Sequence, residues 1–277
     1  MQDPAQGNFD RKNRGRFRPG SSTNPLWRSL AFGSPIPDVY REPSSIYVAY
    51  CNEPPRWLPK DKEDDPRGFR SGSGEVAAAF ELGSVLGRAG LSYEVVRSRN
   101  LKSVEILAKT DIMLLVLGST LSFEHLDDIR RQIWPSSQRF KFDWEETGFD
   151  NRGQPQGYGF ILDTISGRKF VNLDMQEGKP ETQYALVSII RNDKSQLFVN
   201  LAGISTLGTE AAVKLLCNPV TLRQVLEKLA ISDLTVPSFE LLLEMNINWD
   251  IPYLPKIVDY VCPVNAPETV AAATAAS

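Results

Sequence analysis

Short runs of apolar and β-branched residues predict buried β-strands in the first half of the chain. Such runs lie at residues 45–51, 93–97 and 111–118, and the third is almost wholly apolar. Helices are predicted over residues 74–90 and 101–109, between these runs. Apolar strands that alternate with helices are typical of a parallel sheet covered on both faces. This half therefore predicts a three-layer α/β domain with a mostly parallel, flavodoxin- or Rossmann-like sheet.

The middle of the chain has a different pattern. Apolar and polar positions alternate over residues 140–144, and two further strand-like segments, residues 158–162 and 169–173, flank Ser166 and Gly167. A Ser-Gly pair between two strands is typical of a hairpin turn. We therefore expect an inserted antiparallel ribbon over about residues 138–175.

The last third returns to long apolar runs. Residues 183–191 and 196–203 are strong strands joined by a few polar residues, which predicts a hairpin and hence a mixed sheet. Two helices are predicted over residues 209–216 and 221–229, and residues 239–248 are expected to form an edge strand.

Both ends of the chain are predicted to be disordered. Residues 1–44 are rich in Gly, Pro, Ser and Asn, and residues 266–277 are a small-residue tail. Residues 1–28 hold six basic and two acidic residues, a net charge of +4, which leaves −7 for the remainder because the whole chain carries −3. A single basic stretch is weak evidence of nucleic-acid binding, so nucleic acid is not the expected partner. A single α/β domain is predicted over residues 45–265.

Composition excludes several classes of protein. The 277 residues contain no apolar run of transmembrane length and no apolar signal core, so a cytoplasmic protein without a membrane partner is expected. The three cysteines, Cys51, Cys217 and Cys262, are widely spaced, which argues against disulfides and against a zinc motif. His125 is the single histidine, and no calcium-loop motif occurs. Neither a metal nor a cofactor is therefore predicted.

Three predicted helix starts have the same chemistry. Each brings Gly, Ser or Thr to a place where backbone N–H groups are unpaired and the helix dipole is positive. A strand followed by such a turn and a helix is the usual phosphate cradle of α/β proteins, although ordinary helix capping explains the same residues. The candidate ligand-binding residues are Ser73, Gly74, Gly118, Ser119, Thr120, Gly203, Ser205, Thr206, Gly208 and Thr209.

Two glutamates are the candidate catalytic groups. Glu75 and Glu210 each fall in the first turn of a predicted helix beside the expected crevice. There a carboxylate could orient ribose hydroxyls or stabilise an oxocarbenium-like centre. Compensation of the helix dipole is the simpler interpretation of both residues.

The order of these motifs resembles a loosely described group of uncharacterised bacterial α/β domains. The similarity lies in the Gly-Ser-Gly-Glu75 helix start, the strand ending at Gly118-Ser119, the Tyr184 strand, and the turn from Ala202 to Glu210. Such domains have a Gly-xxx-Gly-Thr-xx-Ala-Ala turn and accompany signalling modules, so the resemblance implies a soluble signalling domain. This chain departs from the pattern at Thr120 and Leu121, where the group often has Pro or Asn. The strand at residues 46–50 also resembles Toll/interleukin-receptor-like NAD hydrolases and nucleoside deoxyribosyltransferases, which use a helix-borne Glu.

Three functions follow as hypotheses. The first is a cytoplasmic, non-enzymatic sensor that binds a nucleotide or another phosphorylated small molecule at the three turns. The second is an N-glycosidic-bond hydrolase or transferase that uses Glu75 or Glu210. The third is a scaffold in which the loop at residues 52–73 and the basic leader contact a protein partner.

Overall fold

A computed structural model describes the strands and helices of the chain. The described residues are 45–50, 73–88, 91–97, 112–119, 126, 129, 139–149, 151, 155–173, 181–191, 196–229, 238–248, 251–253 and 255–261. The leader, the tail, Thr120, His125 and the helix predicted over residues 101–109 lie outside them.

Strands outnumber helices among these residues. The helices are α1 (Ser73–Arg88), α2 (Thr206–Cys217) and α3 (Pro219–Lys228). The strands are β1 (Ser45–Tyr50), β2 (Glu94–Arg97), β3 (Ile112–Leu117), β4 (Phe140–Phe149), β5 (Pro155–Asp163), β6 (Lys169–Val171), β7 (Glu181–Arg191), β8 (Leu197–Gly203), β9 (Phe239–Asn248), β10 (Ile251–Pro252) and β11 (Lys256–Val261).

Eight strands form one mixed sheet. Its order is β10-β9-β7-β8-β3-β1-β2, and β11 also pairs with β9. Strands β2, β1, β3 and β8 run parallel to one another, whereas the pairings of β7, β9, β10 and β11 are all antiparallel. The sheet therefore has a parallel half and an antiparallel half, which meet where β8 pairs with β7.

The prediction of a mostly parallel, flavodoxin- or Rossmann-like fold is therefore wrong. Continuous apolar runs show that both faces of a strand are covered, but they carry no information on strand direction. Strand β9 was expected at the edge of the sheet, yet it lies between β7 and β11. The hairpin of β7 and β8 is confirmed by their antiparallel register from Ala185–Gly203 to Arg191–Leu197.

The expected antiparallel ribbon is instead a separate three-stranded sheet. Its order is β4-β5-β6, and both pairings are antiparallel, with the hairpin at Ser166 and Gly167 closed by a Gly167 N to Asp163 O hydrogen bond of 2.8 Å. We call it the small sheet. It packs on the main sheet through a cluster of buried apolar side chains: Phe140, Phe142, Ile161, Phe170, Tyr184, Leu186, Ala202 and Leu242.

Helices α1, α2 and α3 cover the other face of the main sheet. Their buried side chains share one apolar cluster with alternate residues of β1, β3, β7, β8 and β9. Asn218 joins two of these helices, because its N–H donates to Lys214 O at 3.1 Å while its Oδ1 accepts from Val220 N at 3.0 Å. It is the last cap of α2 and the first cap of α3. None of the described helices is long and apolar enough to cross a membrane.

Candidate functional site

The described helical residues that follow β1 and β3 lie on opposite faces of the main sheet. Helix α1 follows β1 and packs on the helix-covered face. After β3, the helical residues Leu126 and Ile129 pack on the opposite face, in a cluster with Tyr47 and Val116. In open α/β sheets, ligands bind outside the carboxyl ends of the strands where the connections diverge in this way.

We call the carboxyl ends of β1, β3 and β8 the carboxyl edge. Tyr50 is opposite Leu117 in register, and Leu117 is opposite Leu201, so these strands end side by side. Two of the predicted turns, those at Gly118 and Gly203, therefore lie on adjacent strands. The third begins α1 and reaches the same edge through a contact with α2.

The N-termini of α1 and α2 are in direct backbone contact. A Cβ atom on Gly74 would lie 2.6 Å from the carbonyl carbon of Thr206, and one on Gly203 would lie 2.5 Å from the Cα of Gly208. Real Cβ atoms do not approach other atoms so closely, so glycine is required at both positions. Gly208 is similarly confined, because its Cβ would lie 2.9 Å from the Cα of Gly203. Three glycines predicted to cradle a ligand thus allow backbones to pack closely.

The hydroxyl groups of the α2 turn are engaged within the fold. Ser205 Oγ accepts from Gly208 N at 3.3 Å and donates to the Oε1 of buried Gln183, whose amide in turn donates to Glu181. Thr209 Oγ1 accepts from Gly203 N at 3.0 Å. These groups hold the turn in shape, and the positive end of α2 lies at the carboxyl edge. Helix α2 begins at Thr206, three residues earlier than predicted, so the placement of Glu210 in its first turn is wrong. That turn contains no acidic residue that would offset the dipole.

Gly118 follows β3 with a conformation that favours glycine. Its φ is 127°, its N–H donates to Leu201 O at 3.0 Å, and its carbonyl accepts from Asn200 Nδ2 at 3.0 Å. Ser119 is 5% exposed. Strand β8 therefore fixes this turn from both sides of the Gly118 peptide. Thr120 lies outside the described residues.

Asn200 is a site residue that the sequence predictions missed. It lies in the middle of β8, is 1% exposed, and donates from Nδ2 to Val116 O at 3.2 Å as well as to Gly118 O. One signal was visible in the sequence, since Asn200 is the one polar side chain in the otherwise apolar run of residues 197–203. Buried polar side chains in such a strand are retained only where hydrogen bonds satisfy them.

A buried polar row crosses the main sheet from Asn200. Ser188 is opposite both Asn200 and Glu240 in register, and its Oγ donates to Glu240 Oε1 at 3.1 Å. Ser188 and Glu240 are both 0% exposed. The row separates the apolar cluster around Phe198 from the one under the small sheet, which includes Ala202. We call the row of Asn200, Ser188 and Glu240 the polar seam.

The two candidate catalytic carboxylates have different surroundings. Glu75 is 7% exposed in the first turn of α1, next to the glycine that contacts α2. Glu210 forms an ion pair with Lys214, at 2.6 Å, on the same helix. Glu81 of α1 faces this pair, and burial raises its pKa while Lys214 opposes the rise. Only Glu75 therefore adjoins the contact between the helix starts.

Other reactive groups are poor candidates. Burial raises the pKa of the Cys217 thiol to about 12, so this cysteine stays protonated and inert. Within the described part of the chain, no cluster of three or more His, Cys, Asp or Glu residues has the arrangement of a metal site. Comparison with protein-family models, curated proteins and solved structures finds no match to the chain.

Proposed function

We propose that the chain is a cytoplasmic, non-enzymatic module that binds a nucleotide or another phosphorylated small molecule at the carboxyl edge. The observation that carries this proposal is the backbone contact between the starts of α1 and α2 beside the ends of β3 and β8. A helix N-terminus carries about half a positive charge, and phosphates bind there through backbone N–H groups. The start of α2 is the stronger of the two positions for an anion, because its first turn contains no acidic residue, whereas the first turn of α1 contains Glu75.

A second observation supports the same location. The Oδ1 atom of Asn200 is buried and has no hydrogen-bond partner within the described part of the chain, although the side chain is 1% exposed. A buried acceptor without a donor is rare in folded proteins and points to a ligand or water. The Nδ2 atom of the same side chain donates to Gly118 O, so Asn200 links this unsatisfied atom to the turn at the end of β3.

The proposal is tested by placing a negative charge on the first turn of α2. In Thr206→Glu the new carboxylate lies at the positive end of the α2 dipole and competes there with the ligand phosphate. Thr206 is part-exposed, so the substitution does not bury a charge. The matched control is Val220→Glu, a residue 65% exposed at the start of α3, whose first turn also lacks an acid. Melting temperature is measured with nucleoside phosphates, sugar phosphates and inorganic phosphate.

We expect a phosphorylated compound to raise the melting temperature of the wild type and of Val220→Glu, but not of Thr206→Glu. A ligand present at 100 times its dissociation constant stabilises a protein by about 2.7 kcal/mol, which is easily measured. Equal responses in all three proteins, or no response to any compound in the wild type, would contradict the proposal. Release of nicotinamide from NAD that is lost in Glu75→Gln would instead support the hydrolase hypothesis.

A further inference from the structure

The amide orientation of Asn200 is fixed by its neighbours. Its Nδ2 faces two backbone carbonyls, Val116 O at 3.2 Å and Gly118 O at 3.0 Å. Carbonyl oxygens only accept hydrogen bonds, so a flipped amide would place Oδ1 against two acceptors. The Oδ1 atom therefore lies on the far side of the amide group, away from β3.

The hydroxyl group opposite Asn200 in register does not donate a hydrogen bond to Asn200 Oδ1. Ser188 is opposite Asn200, but its single proton is donated to Glu240 Oε1 at 3.1 Å. Asn200 Oδ1 consequently has no hydrogen-bond partner among the described residues. Asn200 Oδ1 can therefore accept a hydrogen bond, and the group that would bind to it in the polar seam is a hydrogen-bond donor.

The surroundings of the polar seam also indicate the charge of that donor. The seam contains the carboxyl group of Glu240 and lies on the face opposite α1, α2 and α3. A phosphate group is therefore favoured at the helix starts, whereas a neutral or positively charged N–H group is favoured at the polar seam. The Gly118 turn joins the two places, because its carbonyl is held by Asn200.

We propose that Asn200 Oδ1 accepts a hydrogen bond from an amino group of the ligand, so that the site selects phosphorylated compounds with an amino-substituted base. This inference rests on the proposed function for the phosphate but adds a separate contact. Sites that hydrogen-bond a ligand group discriminate strongly against analogues without it, because the buried partner is left unpaired.

The test uses the full chain and two matched pairs of ligands, with inorganic phosphate as a fifth probe. AMP is compared with purine riboside 5′-monophosphate, and GMP with IMP, because each pair differs at an amino group. We expect the amino member of at least one pair to bind about tenfold more tightly, the effect of one net hydrogen bond. The same ligand should shift the side-chain amide NMR signals of Asn200, a measurement that needs no variant.

The variant Asn200→Leu should lose the preference for the amino member, so that both members of a pair bind with equal affinity. The matched control is Asn246→Leu, at an exposed position of β9, which should keep the preference. Where Asn200→Leu does not fold, Asn200→Ser replaces it, since its hydroxyl can still donate to one carbonyl.

The outcomes separate this inference from the proposed function. Equal affinities within both pairs in the wild type, with phosphate binding lost in Thr206→Glu, would overturn the inference alone. The proposed function alone would be overturned by a different result. In it, the preference for the amino member disappears in Asn200→Leu, but inorganic phosphate does not bind and Thr206→Glu does not weaken ligand binding. Failure of all five probes to bind would overturn both.

Discussion

The two halves of the main sheet use their polar residues differently. In the parallel half, polar contacts lie at the ends of β3 and β8, where Asn200 and Thr209 hold the turns. Beside the antiparallel half, polar contacts join the small sheet to the main sheet: Arg139 binds both Asp163 of the small sheet and Asp259 of β11. The parallel half thus presents a shaped edge, whereas the antiparallel half stabilises the body that supports it.

The largest expected effect concerns the small sheet. Phe140 is 0% exposed and packs against Leu186, Ala202 and Leu242 of the main sheet. We expect Phe140→Ala to lower the free energy of unfolding by about 3–5 kcal/mol, because it removes a large buried ring. Phe80→Ala, at a position 77% exposed on α1, is the control and should change it little. Denaturant unfolding measures both, and a small effect of Phe140→Ala would show that the small sheet is independent of the core.

A smaller effect is expected from the Arg139 contacts. Asp163 is 3% exposed and accepts from Arg139 Nε at 3.1 Å and from Ser166 Oγ at 2.8 Å. We expect Asp163→Asn to cost about 2–3 kcal/mol, since hydrogen bonds to a charged partner are lost in a buried place. Urea unfolding of the variant measures this cost.

Asp163 also makes the contact between the small sheet and β11 sensitive to acid. Hydrogen bonding from Arg139 holds the pKa of Asp163 well below its usual range. The unfolded chain therefore binds a proton more readily, and the stabilisation is complete above about pH 4 and lost as the pH falls below that. Unfolding of the wild type between pH 2 and 6 should show this loss, and Asp163→Asn should show less of it. Identical pH profiles would contradict the assignment.

The variant with the smallest expected loss of stability, and the largest expected loss of ligand binding, lies in the parallel half. A Cβ on Gly203 would meet the backbone of Gly208 at 2.5 Å. Gly203→Ala should therefore cost about 1–3 kcal/mol and abolish phosphate binding, because the start of α2 is displaced. The control is Gly87→Ala, where nothing lies within 4 Å and a helix interior gains from alanine. Calorimetric titration with the ligand found for the wild type measures the binding.

Local patterns in the sequence predict most of the strands and helices, but they do not predict how these elements are arranged. Strand β3 is confirmed as a fully apolar, buried run, and β8 as a buried run in which Asn200 is the one polar side chain. Sequence cannot show which neighbour a strand selects, so β9 was assigned to the edge and the sheet to a parallel fold. Partner choice depends on distant segments that compete for the same strand edge.

The candidate site was predicted only in outline. Gly74, Gly203 and Gly208 were recognised as unusual, but a glycine required by a ligand and one required by another backbone have the same sequence signature. Asn200 was overlooked because its role depends on carbonyls in β3, 82 and 84 positions away. Residues that act across such separations become apparent only once the strand pairing is known.

The contact of Gly74 with Thr206 has a mechanical consequence. No side chain separates the two backbones, so α1 and α2 cannot slide past each other without a clash. Asn218 joins α2 to α3 through hydrogen bonds in both directions, which fixes the angle of that joint. A substitution that moves the first turn of α2 is therefore expected to disturb both neighbouring helices, because α1 meets it through backbone atoms and α3 is joined to it by the single residue Asn218.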